Sequence, residues 1–425
     1  MRLPDIVRVG VLCVIYFATA KFGLSLDAVS GFAAAVWPPT GIALVALVLY
    51  GYRLWPGIAL GAFLVNLSAG APVLVAGGMA LGNTLEALLG TVLLTRVVGF
   101  RPTLDRLRDV LGLIVLAAGL STLVSATIGV TSGWLGGSIP TATYGDAWRT
   151  WWLGDALGDL VVAPLLFVWS RRGRVSLPRR WSAEAIVLLV AVSVLSLVGF
   201  DVLAPALPLP RYLVFPALIW VALRLGPPGS VTALALVSAS AICGTAQGAG
   251  PFAGQTLHDS LFVLQTFMSL VAVTILLLAA VIAERGQTEA TAREQRERFE
   301  VTLFSIGDAV IATDSQGRVT FLNPVAEALT GWPEAEALGK DITAVFQIVN
   351  EYTRQVVENP IAKVIRVGTV VGLANHTLLI ARDGVEHPID DSGAPIHDPQ
   401  GRLLGMVVVF AISPSAGVPR KLGRA

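Results

Sequence analysis

Three carboxylates inside apolar segments are the residues of this chain most able to do chemistry. Glu86 lies in the run Val73–Val98, and Asp155 and Asp159 lie in the run Trp151–Trp169. A charged side chain at the centre of a bilayer costs about 2.5–3.5 kcal/mol on insertion scales, and such residues usually mark a ligand site or an ion pathway. The sequence therefore predicts a polar site inside a membrane bundle.

The spacing of these residues predicts which side chains share that site. Asn83 precedes Glu86 by three residues, and Asp155 precedes Asp159 by four. At 3.6 residues per turn, the members of each pair lie on one helix face. We expect one ligand-binding site that contains Asn83, Glu86, Trp152, Asp155 and Asp159.

Most of these residues also have a purely structural interpretation, which the sequence leaves open, but Asp159 lies a turn deeper and is harder to explain in that way. Glu86 could form a packing hydrogen bond between helices. Asp155 could cap its helix or pair with Arg149 near the outer surface. Trp152 and the neighbouring Trp151 fit an aromatic belt at the membrane boundary.

The composition places most of the chain in lipid. Of the 425 residues, 54% are hydrophobic and 14% are charged, whereas soluble domains average about 25% charged residues. A net charge of +1 gives no support for nucleic-acid binding. Cys13 and Cys243 both lie in apolar runs and predict neither a disulfide framework nor a metal site.

Ten apolar segments of near-spanning length precede residue 284, and together they predict a polytopic α-helical membrane bundle. They are 6–23, 36–50, 54–68, 73–95, 109–130, 149–169, 183–203, 212–225, 229–246 and 259–283. Some are short or interrupted, so we expect about 8–10 spans. With ten spans and a cytoplasmic C-terminus, the inside loops hold thirteen arginines, and the outside loops hold only Lys21, Arg149 and Arg211. The positive-inside rule then puts both chain ends in the cytoplasm.

Pro38 and Pro39 remove two backbone donors from one of these apolar runs. Either a helix breaks there and lines a cavity, or a helix begins at Pro38 near the interface.

The composition changes abruptly after residue 283. Residues 284–300 read ERGQTEATAREQRERFE, which predicts a helical connector. This connector is either a solvated linker or a signalling helix that pairs in a homodimer. Residues 301–413 have the pattern of a small α/β domain, and residues 414–425 are expected to form a flexible tail because they contain two prolines and two glycines.

The α/β pattern predicts a five-stranded antiparallel sheet with helices on one face. The expected strands are 309–314, 319–323, 373–380, 386–396 and 403–412. An amphipathic helix is expected over Thr353–Val367.

Four groups of residues in the membrane half occur in an order that a known family shares. They are Val36–Gly41, Trp55–Gly57 with Gly61 and Asn66, Gly82-Asn83 with Glu86, and Trp151–Gly158 with Ala163-Pro164. Through them, residues 10–285 resemble the first membrane-associated sensor (MASE) family of bacterial signalling proteins. The resemblance implies an input domain over residues 1–283, which in relatives precedes PAS modules and cyclic-di-GMP or histidine-kinase modules. The ligands of that family are mostly unknown.

The soluble half resembles a PAS domain over about residues 296–413. The segments that carry this resemblance are Ile306–Asp314, Asn323-Pro324 with Ala326 and Glu327, Leu329–Trp332 and Ile389–Ile396. Both cysteines lie in the membrane half, and Thr353–Val367 contains no histidine, so we expect neither covalent flavin nor haem. His376, His387 and His397 are expected at the surface.

The sequence therefore predicts a multi-pass sensory protein of the bacterial inner membrane with a cytoplasmic PAS module. We expect it to bind an unknown small ligand and to signal through a cytoplasmic or membrane protein, in a two-component or cyclic-di-GMP system. No enzymatic output is expected from the residues present. Two alternatives stay open: a remnant of a sensor diguanylate cyclase, phosphodiesterase or histidine kinase, and a transporter-like protein.

Overall fold

A computed structural model describes residues 3–25, 28–29, 33–170, 179–203, 213–248, 250–252, 257–305, 307–357, 371–372 and 377–413. The chain divides into two compact units, residues 1–289 and 290–425. The boundary between them falls within one long helix, Leu257–Ser305.

The first unit is a bundle of apolar helices. In chain order they are α1 (Leu3–Ser25), α2 (Pro38–Tyr50), α3 (Trp55–Ser68), α4 (Val73–Val98), α5 (Leu107–Leu135), α6 (Thr141–Trp169), α7 (Arg179–Gly199), α8 (Val214–Ala246) and α9 (Leu257–Ser305). Among the described residues, six helices are long and apolar enough to cross a membrane: α1, α4, α5, α6, α8 and α9. Shorter apolar helices occupy Pro38–Tyr50 and Ala183–Gly199.

Each of the ten predicted apolar segments overlaps a helix of this bundle. The bundle has nine described helices for the ten segments, since α8 contains two of them. Gly226 has φ 60° and ψ −155°, and it interrupts α8 immediately before Pro227 and Pro228. A positive φ costs glycine little, and the prolines favour the start of a new helical segment.

The prolines near residue 38 mark the start of a helix and not a break within one. α2 begins at Pro38, and Trp37 is its N-cap. The preceding residues 34–37 are buried outside any helix. Gln265 Nε2 of α9 lies 3.2 Å from the carbonyl oxygens of both Ala34 and Ala35. Buried irregular backbone therefore finds a partner inside the protein, as a membrane interior requires.

Glycines bring the start of α2 into backbone contact with α6. A Cβ atom at Gly41 would lie 2.2 Å from the carbonyl oxygen of Gly158, and a Cβ atom at Gly158 would lie 2.3 Å from that of Trp37. The Trp37 N–H also donates to the Gly154 carbonyl oxygen at 2.9 Å. This small-residue contact, typical of membrane helices, fixes the N-terminus of α2 against α6.

In the first unit, two-residue strands β1 (Ala28–Val29) and β2 (Ala33–Ala34) pair with each other.

The second unit is built on an antiparallel sheet. Its strands are β3 (Ala309–Asp314), β4 (Val319–Leu322), β5 (Gln347–Asn350), β6 (Val371–Gly372), β7 (Thr377–Ile380), β8 (Glu386–His397) and β9 (Leu403–Ile412). The strand order is β4-β3-β9-β8-β7-β5, and the short β6 pairs with β8. Helices α10 (Pro324–Thr330), α11 (Glu334–Ala337) and α12 (Ile342–Val345) lie between β4 and β5. The core includes Phe346 and Phe410, whose ring centroids are 4.8 Å apart.

The Asn323 side chain links the start of α10 to β3 and to the residue that precedes β3. Its Oδ1 accepts from the N–H groups of Val310 and Ala326, both at 2.9 Å, and its Nδ2 donates to the Asp308 carbonyl oxygen at 2.8 Å. The Asn323 side chain therefore caps α10 and holds that cap against β3.

Two predictions about this unit are wrong. The sheet has more than five strands, because the short run Gln347–Asn350 forms β5 and Val371–Gly372 forms β6. The helix expected over Thr353–Val367 does not start at Thr353. Instead, the N–H groups of Tyr352 and Thr353 donate to Asn350 Oδ1, at 3.0 and 2.9 Å, and form a turn. Residues 358–367, His376, the first residues of the predicted strand 373–380 and the tail 414–425 lie outside the described residues.

We predict that Gly158→Ala destabilises the bundle, because the added methyl group meets the Trp37 carbonyl oxygen. The expected loss is about 1–3 kcal/mol, seen as a lower midpoint of thermal unfolding in detergent. Gly145→Ala is the matched control, since Gly145 lies on the same helix with open space around its Cβ position. Equal effects of the two substitutions would contradict the close contact between α2 and α6.

Candidate functional site: a buried carboxylate cluster

Four helices contribute side chains to one buried hydrogen-bond network around Asp155. Asp155 Oδ1 accepts from the Thr40 hydroxyl at 3.0 Å, and Oδ2 lies 2.9 Å from the Ser125 hydroxyl. Ser125 Oγ also lies 2.8 Å from Asn83 Oδ1 and accepts from Trp151 Nε1 at 3.1 Å. All five side chains are buried. The network thus ties α2, α4, α5 and α6 together at one point.

Ser125 limits the protonation states that this network allows. A hydroxyl group donates one hydrogen bond, yet Ser125 Oγ faces the oxygens of both Asn83 and Asp155. If Asp155 carries a proton, it donates to Ser125, and Ser125 donates to Asn83. If Asp155 is ionised, Ser125 donates to Asp155, and the Asn83 amide must turn over to donate through its nitrogen.

Two further carboxylates lie beside this network. Glu86 is 2% exposed and Asp159 is 1% exposed, and both interact electrostatically with Asp155. Glu86 Oε1 and Asp159 Oδ1 have no hydrogen-bond partner among the described residues. Leaving a buried polar atom unpaired costs about 1–3 kcal/mol, so these two oxygens mark a place where a ligand would gain hydrogen bonds.

The structure brings four of the five predicted site residues together. Asn83 and Asp155 belong to the network, and Glu86 and Asp159 adjoin it. Trp152 lies elsewhere: its Nε1 donates to the Gly119 carbonyl oxygen at 3.2 Å, and its ring stacks on Trp148.

Trp151, and not Trp152, donates to the network, so an aromatic belt does not account for this buried indole. The alternative pairing of Asp155 with Arg149 is wrong, because Arg149 forms a short ion pair with Asp146 one turn earlier on α6.

The sequence interpretation missed Tyr16, Thr40, Ser125 and Gln265. Tyr16 on α1 is 1% exposed, its hydroxyl has no hydrogen-bond partner among the described residues, and it interacts electrostatically with Asp155 and Glu86. Tyr16 and Gln265 are polar residues within apolar runs, which is a signal that could have found them. Ser125 and Thr40 carry no such signal, since hydroxyl residues are frequent in membrane helices.

A second polar cluster joins the end of the bundle to the connector, and we call it the connector contact. Glu284 on α9 accepts from the Leu107 N–H at 2.9 Å, and Gln287 Nε2 donates to Asp105 Oδ2 at 2.9 Å. A carboxylate at a helix N-terminus is favourable because the helix dipole is positive there. Burial opposes ionisation of Asp105, but hydrogen bonds from Thr103 and Gln287 hold its pKa below the usual value.

In the second unit, Asp391 on β8 is the carboxylate with the most perturbed environment among the described residues. Its Oδ2 is buried without a hydrogen-bond partner. Burial, followed by the neighbouring Asp390 carboxylate, raises the pKa of Asp391 to about 7. This side chain therefore changes charge near neutral pH.

Comparison with known proteins assigns both units. MASE1 matches residues 9–286, and the PAS fold matches residues 297–412. The chain belongs to the MASE1 family. With six long apolar helices among the residues that the structure describes, this MASE1 protein is a multi-pass membrane protein that carries a PAS domain.

Two relatives that match part of this chain are named as signalling proteins. The chain is 31% identical over 117 residues to the probable diguanylate cyclase DgcE of Escherichia coli, which covers 28% of this chain and 10% of that protein. It is 30% identical over 122 residues to the signal transduction histidine-protein kinase AtoS of Escherichia coli, covering 28% of this chain and 18% of that protein. The chain spans less than a fifth of either relative.

Solved structures similar to part of this chain are also PAS domains. One is the PAS domain of nitrogen regulation protein NR(II) from Vibrio parahaemolyticus, with 13% identity, a TM-score of 0.22, and coverage of 27% of this chain and 96% of that one. Another is the PAS domain of an HTR-like protein from Haloarcula marismortui, with 16% identity, a TM-score of 0.25, and coverage of 30% and 99%. The domain order and the signalling relatives identify this MASE1 protein as a membrane sensory protein.

We predict that Ser125→Ala lowers the free energy of unfolding by about 1–3 kcal/mol, because Asp155 and Trp151 each lose a buried partner. Thermal unfolding in detergent measures the change. Ser132→Ala is the control on the same helix, since that hydroxyl bonds only to the Ile128 carbonyl oxygen one turn away among described residues. A smaller effect at Ser125 than at Ser132 would contradict the network.

We predict that Asp391→Asn stabilises the PAS domain more at pH 8 than at pH 5. The raised pKa means that the folded state favours protonated Asp391, so the wild type loses stability as pH rises from about 4 to above 7. Thermal unfolding of the full chain at both pH values measures this difference. Asp308→Asn, at an exposed position of the same unit, is the control. A stabilisation that is the same at pH 5 and pH 8 would count against titration of Asp391.

Proposed function

We propose that this chain senses a small ligand or ion in its membrane bundle and passes the change through α9 and the PAS domain to a separate signalling protein. The observation that carries this proposal is the pair of buried, unpartnered oxygens on Glu86 and Asp159 beside the Asp155 network. Buried carboxylates are costly in a membrane and are retained mainly where they function.

The connector contact would transmit a structural change from the carboxylate cluster to α9. α5 carries Ser125 in the network, and its first residue, Leu107, donates to Glu284 of α9. A rearrangement at Ser125 that shifts α5 by an ångström or two would alter that contact, and helix shifts of about 1–2 Å are a common switching motion. α9 then continues through exposed ion pairs between Arg285 and Glu289 and between Arg293 and Glu297, which support the helix.

The PAS domain would present the output surface. Antiparallel sheets with accessible faces and edges are common docking surfaces for other proteins. The relatives are a probable diguanylate cyclase and a histidine kinase, so we propose a partner from cyclic-di-GMP or two-component signalling. We also propose that the PAS domain holds neither haem nor covalent flavin, which an absorbance spectrum of the purified chain checks.

A second candidate function is that of the input part of a sensor enzyme. The two curated relatives are much longer than the region that they share with this chain, and this favours it. Cyclic-di-GMP synthesis by the purified chain, or autophosphorylation with ATP, would favour this candidate over signalling through a separate partner.

We predict that Glu86→Gln changes the hydrogen exchange of residues 284–305 in the full chain in lipid nanodiscs. The substitution alters the charge of the site, and an allosteric coupling of 1–3 kcal/mol would change exchange rates about 5-fold or more. Asp146→Asn, an exposed carboxylate on α6, is the control and should leave these rates unchanged. Equal exchange in the wild type and Glu86→Gln would refute coupling between the site and the connector.

We predict ten spans with both ends in the cytoplasm of a bacterial inner membrane, from the distribution of basic residues. Reporter fusions after Ser138 and Gly250 should give a periplasmic signal, and a fusion after Ser176 should give a cytoplasmic one. The opposite signal at any of the three positions would overturn this topology and the cytoplasmic placement of the PAS domain.

A further inference from the structure

We propose that the carboxylate cluster binds positive charge, either a proton or a small monovalent cation, between Glu86, Asp159 and Tyr16. The inference rests on the proposed function and names the chemistry of the ligand. It also adds α1 to the site through Tyr16, whose hydroxyl is buried and has no hydrogen-bond partner among the described residues.

The charge balance of the cluster points to a positive occupant. Three carboxyl groups lie within electrostatic reach of one another, and in the part of the chain described none of them has a salt bridge. The arginines of the bundle that form ion pairs do so elsewhere, with Asp5, Asp109, Asp146 and Glu184. Buried charges are normally paired or neutralised, because isolated ones cost far more than their hydrogen bonds return.

The hydrogen-bond partners of the cluster also favour a bound positive charge. Thr40 donates to Asp155, and the Ser125 hydroxyl faces Asp155 and Asn83. Glu86 Oε1 and Asp159 Oδ1 accept no hydrogen bond from the described residues, and Asn83 Nδ2 and the Tyr16 hydroxyl beside them are also without partners. A bound proton would give one of the two carboxyl groups a donor of its own. The titratable groups that face one another across the cluster are Tyr16 from α1, Glu86 from α4, and Asp155 and Asp159 from α6.

A multivalent metal ion fits less well than a single positive charge. Among the described residues, no group of three or more His, Cys, Asp or Glu side chains has the geometry to hold a metal ion. Divalent cations in proteins take several oxygen ligands at short distances. A proton needs no coordination shell and suits this arrangement best. A monovalent cation would have to complete its shell with hydroxyl, carbonyl or water oxygens.

Occupancy of the site would change the network through Ser125. Positive charge bound between Glu86 and Asp159 favours ionised Asp155, so Ser125 donates to Asp155 and the Asn83 amide turns over. When Asp155 is protonated, Ser125 donates to Asn83. The hydrogen bond between α4 and α5 therefore reverses its direction with the charge of the site. This reversal gives the bundle two states that a single bound charge selects.

Infrared spectroscopy of the full chain in phosphatidylcholine nanodiscs tests the inference directly. A protonated buried carboxyl group gives a C=O stretching band that ionised carboxylates lack. To test for a bound proton, Asp391→Asn is introduced throughout, because the Asp391 carboxyl group would itself contribute to this band near neutral pH. In that background we expect the band at neutral pH, with a partial loss in Glu86→Gln and in Asp159→Asn, a shift in Tyr16→Phe, and no change in the control Asp146→Asn.

To test for a bound cation, the midpoint of thermal unfolding is measured in sodium, potassium or ammonium chloride. Each midpoint is compared with that in N-methyl-D-glucamine chloride at equal ionic strength. A stabilisation specific to one small cation, lost in Glu86→Gln and kept in Asp146→Asn, would assign the charge to that cation. Tyr16→Phe keeps all three carboxylates and removes only a hydroxyl group without a hydrogen-bond partner among the described residues, so it tests the site even if a carboxylate variant fails to fold.

Absence of both the protonated-carboxyl band and a specific cation effect would overturn the inference. Neither readout depends on the connector or on a partner. Positive-charge binding without any change in connector exchange would therefore refute the sensor proposal alone. A change in connector exchange without positive-charge binding would refute this inference alone.

Discussion

Burial of three carboxylates among apolar helices is the constraint on which the rest of the bundle depends. Each carboxylate must be hydrogen-bonded, neutralised or paired, because a buried polar group without a partner is destabilising. Asp155 meets this requirement through Thr40 and Ser125, which lie on two other helices. The helices must therefore approach closely at this point, and the glycine contact between Gly41 and Gly158 permits that approach.

The same constraint explains the irregular backbone at the start of α2. Beginning this helix at Pro38 puts Thr40 in its first turn, within reach of Asp155. The N-terminus of a helix also favours a nearby negative charge. The cost is a buried non-helical segment, which Gln265 of α9 stabilises through the carbonyl groups of Ala34 and Ala35. The last helix thus contacts the site region near its beginning and the connector contact near Glu284.

Much of this arrangement could be predicted from residue types and spacing. Apolar runs located the helices, and the cost of charge in lipid singled out Glu86, Asp155 and Asp159. The composition change after residue 283 located the soluble unit, and turn residues located most of its strands. These signals depend only on residues that are close together in the chain, so a single sequence contains them.

Other features depend on tertiary contacts that no local pattern carries. Ser125 is one hydroxyl residue among several on its helix, and only packing shows that it faces both Asn83 and Asp155. Trp151 and Trp152 are adjacent and chemically identical, so only the rotation of α6 decides which indole enters the network. The strand at Gln347–Asn350 is too short for its periodicity to stand out, and pairing with β7 creates it.

Energetic coupling between the carboxylate cluster and the connector contact can be measured in a double-mutant cycle. Unfolding free energies, or exchange rates of residues 284–305, would be measured for Glu86→Gln, Glu284→Gln and the double variant in lipid nanodiscs. Independent sites add to within about 0.3–0.5 kcal/mol. If the two sites are coupled, we expect a coupling energy clearly above that limit, about 1 kcal/mol or more. Additive effects of the two substitutions would contradict this coupling.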